Sequence, residues 1–268
     1  MRLFIYVFLG CFLVFPLTAS AASCGNGPGG FEAWRDDFIA QSARHGLKPR
    51  VVKPALQNVS YNSKVIRLDR GQKSFKLSFE QFYAKRVNNA MIRRGQKLGK
   101  TYARIFRGIE RKYGVPAPVI LAIWGLETNY GSFSGNMPVL QSLATLAYDC
   151  RRSAFFTNEL VAALTIVQRR DMTPAEMKGA WAGELGQTQF LASSYVKYAV
   201  DYDRNGRRDL IRSIPDVLAS TANYLAKHGW RRDQGWGPGT ANYKVLQKWN
   251  KAGVYVRTIS VMADKIAG

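Results

Sequence analysis

One glutamate near the middle of the chain has a setting that suits acid–base chemistry. Glu127 ends an almost wholly apolar run that begins at Val119. Pro116 and Pro118 open this run, so the sequence predicts a buried helix with Glu127 at its end. A poorly solvated carboxyl has a raised pKa and can stay protonated near neutral pH, which is what a general acid needs. The alternative is a structural carboxylate that caps a turn or pairs with an arginine.

A second stretch, residues 179–190, has the composition of a carbohydrate-binding segment. It reads GAWAGELGQTQF, and it is rich in glycines, amides and aromatic rings. Glycines let the backbone approach a ligand closely. Amides hydrogen-bond sugar hydroxyls and N-acetyl groups, and aromatic faces stack on sugar rings.

With these stretches the chain resembles the membrane-bound lytic murein transglycosylase B family, whose catalytic core is lysozyme-like. Six segments carry the resemblance in one order: WGLETNYG, LATLAYDCRRSAFF, GAWAGELGQTQFLASSY, DYDRNGRRD, ANYLAKHGW and KWNKAGVY. The resemblance covers residues 75–268 well and the mature N-terminus more weakly. It implies a mainly α fold, in which a lysozyme-like core is supplemented by additional helices and minor β-strands.

The resemblance implies cleavage of the β-1,4 bond between N-acetylmuramic acid and N-acetylglucosamine in peptidoglycan, with Glu127 as the catalytic residue. A hydrolytic glycosidase normally needs two carboxylates, whereas residues 113–148 offer only Glu127. A lytic transglycosylase needs one. Glu127 would protonate the glycosidic oxygen and then deprotonate the muramic acid C6 hydroxyl, which attacks C1 and forms a 1,6-anhydro sugar.

Two other functions stay open at the level of sequence. Glu184 stands where relatives often have a small residue. If it is a second active-site carboxylate, the chain is a muramidase; if it points outward, it takes no part. A non-catalytic cell-wall-binding or DNA-binding protein is the other alternative, and Glu127 together with the amide-rich stretch argues against it.

The same resemblance implies a set of substrate-binding residues: Gln187, Gln189, Phe190, Tyr224, Asn250 and Tyr255. For Tyr224 and Tyr255 the alternative is ordinary core packing with a hydrogen-bonded hydroxyl. Where the family tends to carry a substrate-facing tyrosine, this chain has Phe82, followed by Tyr83. This departure leaves the roles of both residues open.

The charge of the chain indicates an anionic partner. The formal net charge is +21 and the isoelectric point is about 10.1. The sequence shows no nucleic-acid-binding motif and begins with an export signal, so we expect peptidoglycan rather than nucleic acid as the partner. Arg151 and Arg152 are candidates for binding its lactyl or peptide carboxylates. The alternative is a solvated basic turn.

The N-terminus has the layout of a secretory signal peptide. A short positive start is followed by the apolar run Leu3 to Leu17 and by small residues with a cleavage site at Ala19-Ser20-Ala21. We expect residues 1–21 to be the signal and 22–268 to be the transglycosylase domain, with its lysozyme-like core at about 100–230. The mature chain is expected in the periplasm, as a monomer, with outer-membrane or cell-wall association possible.

Two cysteines remain after the signal, which contains Cys11, is removed. Cys24 and Cys150 form an even pair in an exported protein, so a disulfide between them is expected. The competing interpretation is lipidation of Cys24. The preceding Ala21-Ala22-Ser23 lacks the leucine that is usual three residues before a lipidated cysteine.

The segment 201–209 begins like a calcium-binding loop. Asp201, Asp203 and Asn205 stand at alternate positions and Gly206 is sixth, but the twelfth position is Arg212 instead of glutamate. Some relatives bind calcium in an enlarged loop of this kind, which Asp216 would close here. We expect a metal-free turn and no required cofactor.

Hydrophobic periodicity predicts the elements that position these residues. Helices are expected from Phe31 to His45 and from Ser213 to His228, and a basic helix from Tyr83 to Tyr102 that either ends at Gly95 or continues. Short strands are expected at Val65–Asp69 and Phe75–Phe79. Apolar helical faces at 140–147 and 155–167 complete a mostly α organisation.

Overall fold

The computed structural model describes residues 24–72 and 77–268, and this part of the chain is mostly helical. It contains thirteen α-helices and two short strands. In order they are α1 Phe31–Ala40, α2 Pro49–Leu56, α3 Ser63–Arg70, α4 Phe79–Arg86, α5 Asn89–Thr101, α6 Ala103–Tyr113, α7 Ala117–Thr128, β1 Met137–Pro138, α8 Val139–Tyr148, α9 Ser153–Gln168, β2 Lys178–Gly179, α10 Ala192–Tyr198, α11 Ile214–Lys227, α12 Ala241–Trp249 and α13 Gly253–Ala267. The expectation of a mainly α fold with minor strands is confirmed.

Helix α7 is the central helix and carries Glu127. Every residue from Val119 to Leu126 is buried, as expected for a helix that is apolar on all sides. Helices α5, α6, α11 and α13 pack around it. It ends at Thr128, because Asn129 and Tyr130 have φ angles of 49° and 58°, which cannot continue a right-handed helix. Glu127 is thereby fixed in the last turn of a rigid core element.

A small sheet positions the glycine-rich segment beside α7. Strands β1 and β2 pair antiparallel, with Met137 opposite Gly179. The segment then folds back on itself, since Leu185 and Phe190 exchange two backbone hydrogen bonds of 2.7 and 2.9 Å. A Cβ at Gly179 would collide with the backbone carbonyl of Glu184, so this close approach requires glycine. The residues implied in substrate binding are therefore held on a short, tightly folded loop.

Residues 63–70 form helix α3, so the prediction of a strand at Val65–Asp69 is wrong. The Asn62 side chain caps the helix by accepting hydrogen bonds from the backbone N–H groups of Lys64 and Val65. Val65 and Asp69 are buried one helical turn apart. The five-residue apolar pattern fits both the period of a strand and the period of a helix, and the cap at Asn62 favours the helix.

The second predicted strand and the basic helix also differ from expectation. Residues 73–76 lie outside the described residues; Leu77 and Ser78 are not in a strand, and Ser78 caps α4 through a capping box with Gln81. The basic segment forms two helices, α4 and α5, because Asn88 starts a new one. Helix α5 continues past Gly95, where the Tyr130 hydroxyl and Ile266 leave no room for a Cβ.

The N-terminal helices pack on the core through α8 and α9. The predicted disulfide is present, with the Cα atoms of Cys24 and Cys150 4.9 Å apart and 126 residues apart in sequence. Beside it, Gly25 exchanges backbone hydrogen bonds with Tyr148 and Cys150, and the Tyr148 hydroxyl donates to the carbonyl of Gly29. The start of the described chain is thus fastened to the end of α8.

The predicted signal peptide and Cys11 lie outside the described residues. Within residues 24–72 and 77–268, none of the helices has both the length and the apolar character needed to span a bilayer.

We expect loss of the disulfide to destabilise the mature protein by about 2–5 kcal/mol, because the bond closes a long loop in the unfolded chain. The measurement is chemical unfolding of a Cys24→Ser/Cys150→Ser double variant beside the wild type, after peptide mapping without reduction has located the bond. Reduced wild type is the control and should match the variant. Two free thiols in the mature wild type, or a lipid on Cys24, would contradict the prediction.

Candidate active site

Glu127 lies on a depression of about 480 Å³, a size typical of ligand pockets. Five of the residues predicted from sequence line it: Glu127, Gln189, Phe190, Tyr224 and Asn250. Its other lining residues are Ala180, Trp181, Glu184, Leu191, Ser194, Lys248, Trp249 and Lys251. Residues distant in sequence therefore converge on one carboxyl from α7, α11, α12 and the glycine-rich loop.

The Glu127 carboxyl is held by donors from the C-terminal helices. The indole Nε1 of Trp249 donates a hydrogen bond of 3.0 Å to Glu127 Oε1. The hydroxyl of Tyr255, on α13, is buried beside the same carboxyl, although its geometry falls short of a regular hydrogen bond. These contacts orient the carboxyl and leave Glu127 partly exposed to the depression.

Burial raises the pKa of Glu127 above its ordinary value, and desolvation is the main cause. Contacts with Trp249 and Tyr255 and the charge of Arg86 act in the opposite direction, while the charge of Glu184 adds to the rise. A raised pKa is the property required of a general acid at neutral pH. The alternative of a carboxylate paired with an arginine does not hold here, since none of the described ion pairs includes Glu127.

Glu184 is a second carboxyl on the same depression, a point that the sequence left open. Its Oε2 atom is buried and has no hydrogen-bond partner among the described residues. Burial raises the pKa of Glu184, hydrogen bonds from backbone N–H groups oppose this, and the charge of Glu159 adds to the rise. Burial therefore disfavours the ionised form of Glu184.

One wall of the depression is aromatic. The rings of Phe190, Tyr224 and Trp249 pack edge to face, with centroid separations of 5.0 to 5.9 Å. The Tyr224 hydroxyl donates to the carbonyl of Lys248 at 2.7 Å and so ties α11 to α12. Tyr224 thus both packs, as the alternative interpretation held, and lines the depression. Such a wall offers ring faces and edges to a pyranose.

The two glutamines of the glycine-rich loop have different places. Gln189 lines the depression, and its side-chain amide donates to the carbonyls of Ser134 and Gly186. Gln187 is buried: its Oε1 accepts from Trp124 Nε1 at 2.9 Å and its Nε2 donates to the carbonyl of Ile211 at 2.8 Å. Both ends of that amide are used inside the protein. This favours a positioning role for Gln187 over direct contact with substrate.

Asn250 and Tyr255 both lie in the C-terminal segment, but Asn250 faces the depression and Tyr255 is buried. Asn250 lines the depression, and its Oδ1 accepts from the backbone N–H of Ala252 at 2.9 Å, just before α13. Tyr255 lies beneath Glu127 and packs against the ring of Phe82 at a centroid distance of 6.0 Å. Phe82 is buried, so at this position the chain supports Tyr255 instead of presenting a tyrosine to substrate. The neighbouring Tyr83 packs on Phe79.

Arg151 and Arg152 lie away from the depression. Both guanidinium groups pair with the buried carboxylate of Asp69 on α3, and Arg152 also lies over the ring of Phe156. Neither arginine lines the depression around Glu127. Their described contacts fasten α3 to the start of α9, which favours a structural role over the predicted binding of substrate carboxylates.

Sequence reasoning did not single out several residues of the site. Trp249, Lys248 and Lys251 lie in the late segment KWNKAGVY, which carried the family resemblance, and Trp181 lies in the glycine-rich loop. In the sequence, the position of Trp249 next to Asn250 was the signal that could have identified Trp249 as a residue of the site. The direct contact of Trp249 with Glu127 depends on the packing of α12 beside α7, which no local pattern reveals.

The Asp201 loop gathers three carboxylates. Ligand oxygens of Asp201, Asp203 and Asp216 lie within 4.8 Å of one another, a hard-oxygen set that suits calcium. The Oδ1 atom of Asn205 accepts a hydrogen bond of 2.9 Å from the backbone N–H of Arg207. The carboxylates already accept hydrogen bonds, chiefly from loop backbone N–H groups and one from the Ser213 hydroxyl.

Comparison with known proteins identifies the family of this chain. The family description "Transglycosylase SLT domain" matches residues 30–240. Membrane-bound lytic murein transglycosylase B of Escherichia coli K12 is 38% identical over 138 residues, a match that covers 48% of this chain and only 38% of that protein's own length.

Solved structures agree with the fold. SltB3 from Pseudomonas aeruginosa, in complex with NAG-anhNAM-pentapeptide, is 32% identical with a TM-score of 0.83, over 89% of this chain and 80% of that one. The Escherichia coli lytic transglycosylase Slt35, in complex with bulgecin A, is 23% identical with a TM-score of 0.77, over 95% and 98%, and supports the fold alone. With the family match spanning most of its length, the chain belongs to the transglycosylase SLT domain family.

Proposed function

We propose that this chain is a lytic transglycosylase. It cleaves the β-1,4 bond between N-acetylmuramic acid and N-acetylglucosamine in peptidoglycan and leaves a 1,6-anhydromuramyl end. The observation that carries the proposal is the desolvated, indole-bonded carboxyl of Glu127 on the aromatic-walled depression. The related SltB3 from Pseudomonas aeruginosa is described in complexes with NAG-NAM-pentapeptide and with NAG-anhNAM-pentapeptide.

The proposed mechanism uses one carboxyl twice. Protonated Glu127 gives its proton to the glycosidic oxygen as the C1–O4 bond breaks, and Trp249 Nε1 stabilises the resulting carboxylate. That carboxylate then takes the proton of the muramic acid C6 hydroxyl as O6 bonds to C1. No water is consumed, and the intramolecular attack supplies the effective concentration that a separate water lacks.

Glu184 favours a second candidate, a muramidase that hydrolyses the same bond. It lines the depression with Glu127, as the second acid of a hydrolase would. An inverting hydrolase, however, needs this residue ionised and in contact with a water. Burial disfavours the ionised form of Glu184 and its Oε2 is closed off, whereas the lytic reaction makes no demand on this residue, so the lytic reaction is the better supported one.

We further propose that the chain acts in the periplasm as a monomer after removal of residues 1–21. The Cys24–Cys150 disulfide, a bond that persists in oxidising compartments, and the proposed peptidoglycan substrate support this location. Its high positive charge suits association with the anionic cell envelope, including the outer membrane.

We also propose that the Asp201 loop is metal-free, since backbone and hydroxyl donors occupy its carboxylates and Arg212 pairs with Asp209 and Glu176.

We expect mass analysis of digested, purified peptidoglycan to show products lighter by one water than hydrolysis products, without oxygen from labelled solvent at C1. Glu127→Gln should abolish turnover while keeping the circular dichroism spectrum and melting temperature of the wild type, because an amide can neither give nor take the proton. Reducing ends in proportion to bonds cut, with labelled oxygen incorporated, would instead identify a muramidase.

The pH dependence of kcat/KM should follow the pKa of Glu127, which its surroundings determine. Because Glu127 must be protonated to start the reaction, kcat/KM should fall on the alkaline side at a pH above the ordinary glutamate pKa of about 4.3. Trp249→Phe removes a hydrogen-bond donor to the Glu127 carboxylate, which should raise the pKa of Glu127 further. The alkaline limb of the kcat/KM profile should therefore move to higher pH. Trp236→Phe, an indole away from Glu127, is the control; alkaline limbs that coincide in all three proteins would refute the assignment of this limb to Glu127.

For the Asp201 loop we expect the same melting temperature in millimolar calcium and in EDTA, because protein donors already occupy its carboxylates. Asp216→Asn should lower the melting temperature equally in both conditions, since the buried Asp216 accepts from backbone N–H groups. A calcium-dependent rise in the wild type that Asp203→Asn removes would show instead that the loop binds the metal.

A further inference from the structure

Six basic side chains form a row on the solvent side of α5 and α6. They follow one another at alternating intervals of four and three residues, and all are exposed: Arg93, Lys97, Lys100, Arg104, Arg107 and Arg111. Residues three and four apart lie on one face of a helix. Helical hydrogen bonds continue through the junction, since Tyr102 donates to the carbonyl of Leu98 at 2.9 Å and accepts from Phe106 at 3.0 Å. At about 1.5 Å per residue, this basic row extends along the two helices for roughly 27 Å.

The basic row has no partner within the described residues. None of the described ion pairs or side-chain hydrogen bonds involves any of its six members. Arg94, which is not part of the row, does have a partner, because it donates to the Ser132 hydroxyl at 3.1 Å. Glu110 is the single acid in residues 89–113. Like charges three or four residues apart destabilise a helix, and an anionic partner would offset this repulsion.

An apolar depression of about 520 Å³ adjoins the basic row. Helices α5, α7 and α13 and the start of α6 form it, and its lining residues are Gln96, Gly99, Lys100, Ala103, Ala117, Pro118, Leu121, Ile266 and Ala267. Lys100 belongs both to this lining and to the basic row, and it is the single charged residue of the described lining. The apolar depression therefore offers a hydrocarbon surface with a cation at its edge.

The apolar depression lies at the other end of α7 from Glu127. Ala117 and Pro118 begin this helix, and Glu127 stands in its last turn. Glu127 follows Ala117 by ten residues, a distance of roughly 15 Å at about 1.5 Å per residue. The described lining of the apolar depression shares no residue with that of the depression around Glu127. A ligand bound here therefore leaves the Glu127 depression open to a glycan strand.

The basic row and the apolar depression together suit an anion that also carries hydrocarbon. A hydrated polyanion, such as a nucleic acid or a polyphosphate, would neutralise the row and leave the apolar depression unused. A lipid with an anionic headgroup supplies a phosphate for the row and hydrocarbon for the depression. Each Lys or Arg near an anionic bilayer adds to the affinity, and so does each methylene group removed from water.

We propose that the basic row and the apolar depression form a docking surface for a bilayer that contains anionic phospholipids. The row lies along the headgroup phosphates, and the depression takes up hydrocarbon of one lipid beside Lys100. The proposal rests on the proposed function, since it specifies how the chain associates with the cell envelope. A docked chain holds Glu127 at the end of α7 that is turned away from the lipid, where a glycan strand can reach it.

The test of the basic row is co-sedimentation of the mature, disulfide-bonded protein with vesicles of phosphatidylcholine and phosphatidylglycerol at physiological ionic strength. The Lys97→Gln/Arg104→Gln variant should bind about 25-fold more weakly, at about 5-fold per charge. The control is Arg50→Gln/Lys53→Gln, which removes the same charge from exposed positions of α2. Equal weakening by both double variants, or a wild type that does not bind these vesicles, would overturn the docking surface.

The test of the apolar depression is a substitution that fills it. Ala103→Phe should weaken vesicle binding by about 10-fold, because it displaces hydrocarbon equivalent to roughly two methylene groups. It should leave the binding of inorganic polyphosphate unchanged. Ala33→Phe, at an exposed position of α1, is the control. Equal vesicle affinities of the two variants, or wild-type binding of polyphosphate as tight as that of vesicles, would overturn the choice of a lipid.

A second measurement on the wild type does not depend on how the variants fold. Calorimetry should detect binding of dihexanoyl phosphatidylglycerol, a lipid short enough to stay in solution. It should detect no binding of glycerol phosphate at the same concentration. Equal affinity for both would assign the site to a free phosphate and overturn the proposal.

Failure of this proposal and failure of the proposed function are distinguishable. The vesicle and lipid assays contain no peptidoglycan, whereas the lytic mechanism is tested by the products of digested peptidoglycan without lipid. Anhydro products from a chain that does not bind the vesicles would remove only the docking surface. Reducing-end products from a chain that binds them through the basic row would remove only the lytic mechanism.

Discussion

The hydrogen bond from Trp249 to Glu127 lies at the centre of this structure. It joins the end of the buried helix α7 to the end of α12, and it holds the carboxyl on the aromatic-walled depression. Burial favours the protonated form of Glu127, and the indole donor stabilises the carboxylate that follows proton transfer. One residue is thereby suited to both halves of a reaction that needs an acid and then a base.

The rest of the molecule keeps this arrangement rigid. Helix α7 is apolar on all sides and is packed among four other helices, so Glu127 cannot move without disturbing the core. Gln187 ties the glycine-rich loop to Trp124 of α7, and Gln189 ties it to the loop after α7. Asp69 with its two arginines and the Cys24–Cys150 disulfide hold the N-terminal helices on α8 and α9. Little reorganisation is then required when substrate binds.

The sequence predicted the fold class and five of the residues that line the depression around Glu127, and it failed where short patterns were ambiguous. Glu127 was predictable because its apolar helix is long and its proline start is clear. Residues 65–69 were assigned to a strand because five residues fit either period, and the distant partners Arg151 and Arg152 that use Asp69 are invisible locally. The direction of Glu184 likewise depends on tertiary packing around two glycines with positive φ, Gly183 and Gly186.

The most direct test of the account is an NMR titration of the Glu127 side chain with ¹³C-labelled glutamate, its signal assigned by loss in Glu127→Gln. We expect a titration midpoint above the ordinary glutamate value of about 4.3, because the desolvation of Glu127 outweighs the contributions of Trp249, Tyr255 and Arg86. A midpoint at or below that value would show that Glu127 is already ionised when substrate arrives, and would contradict its role as the general acid.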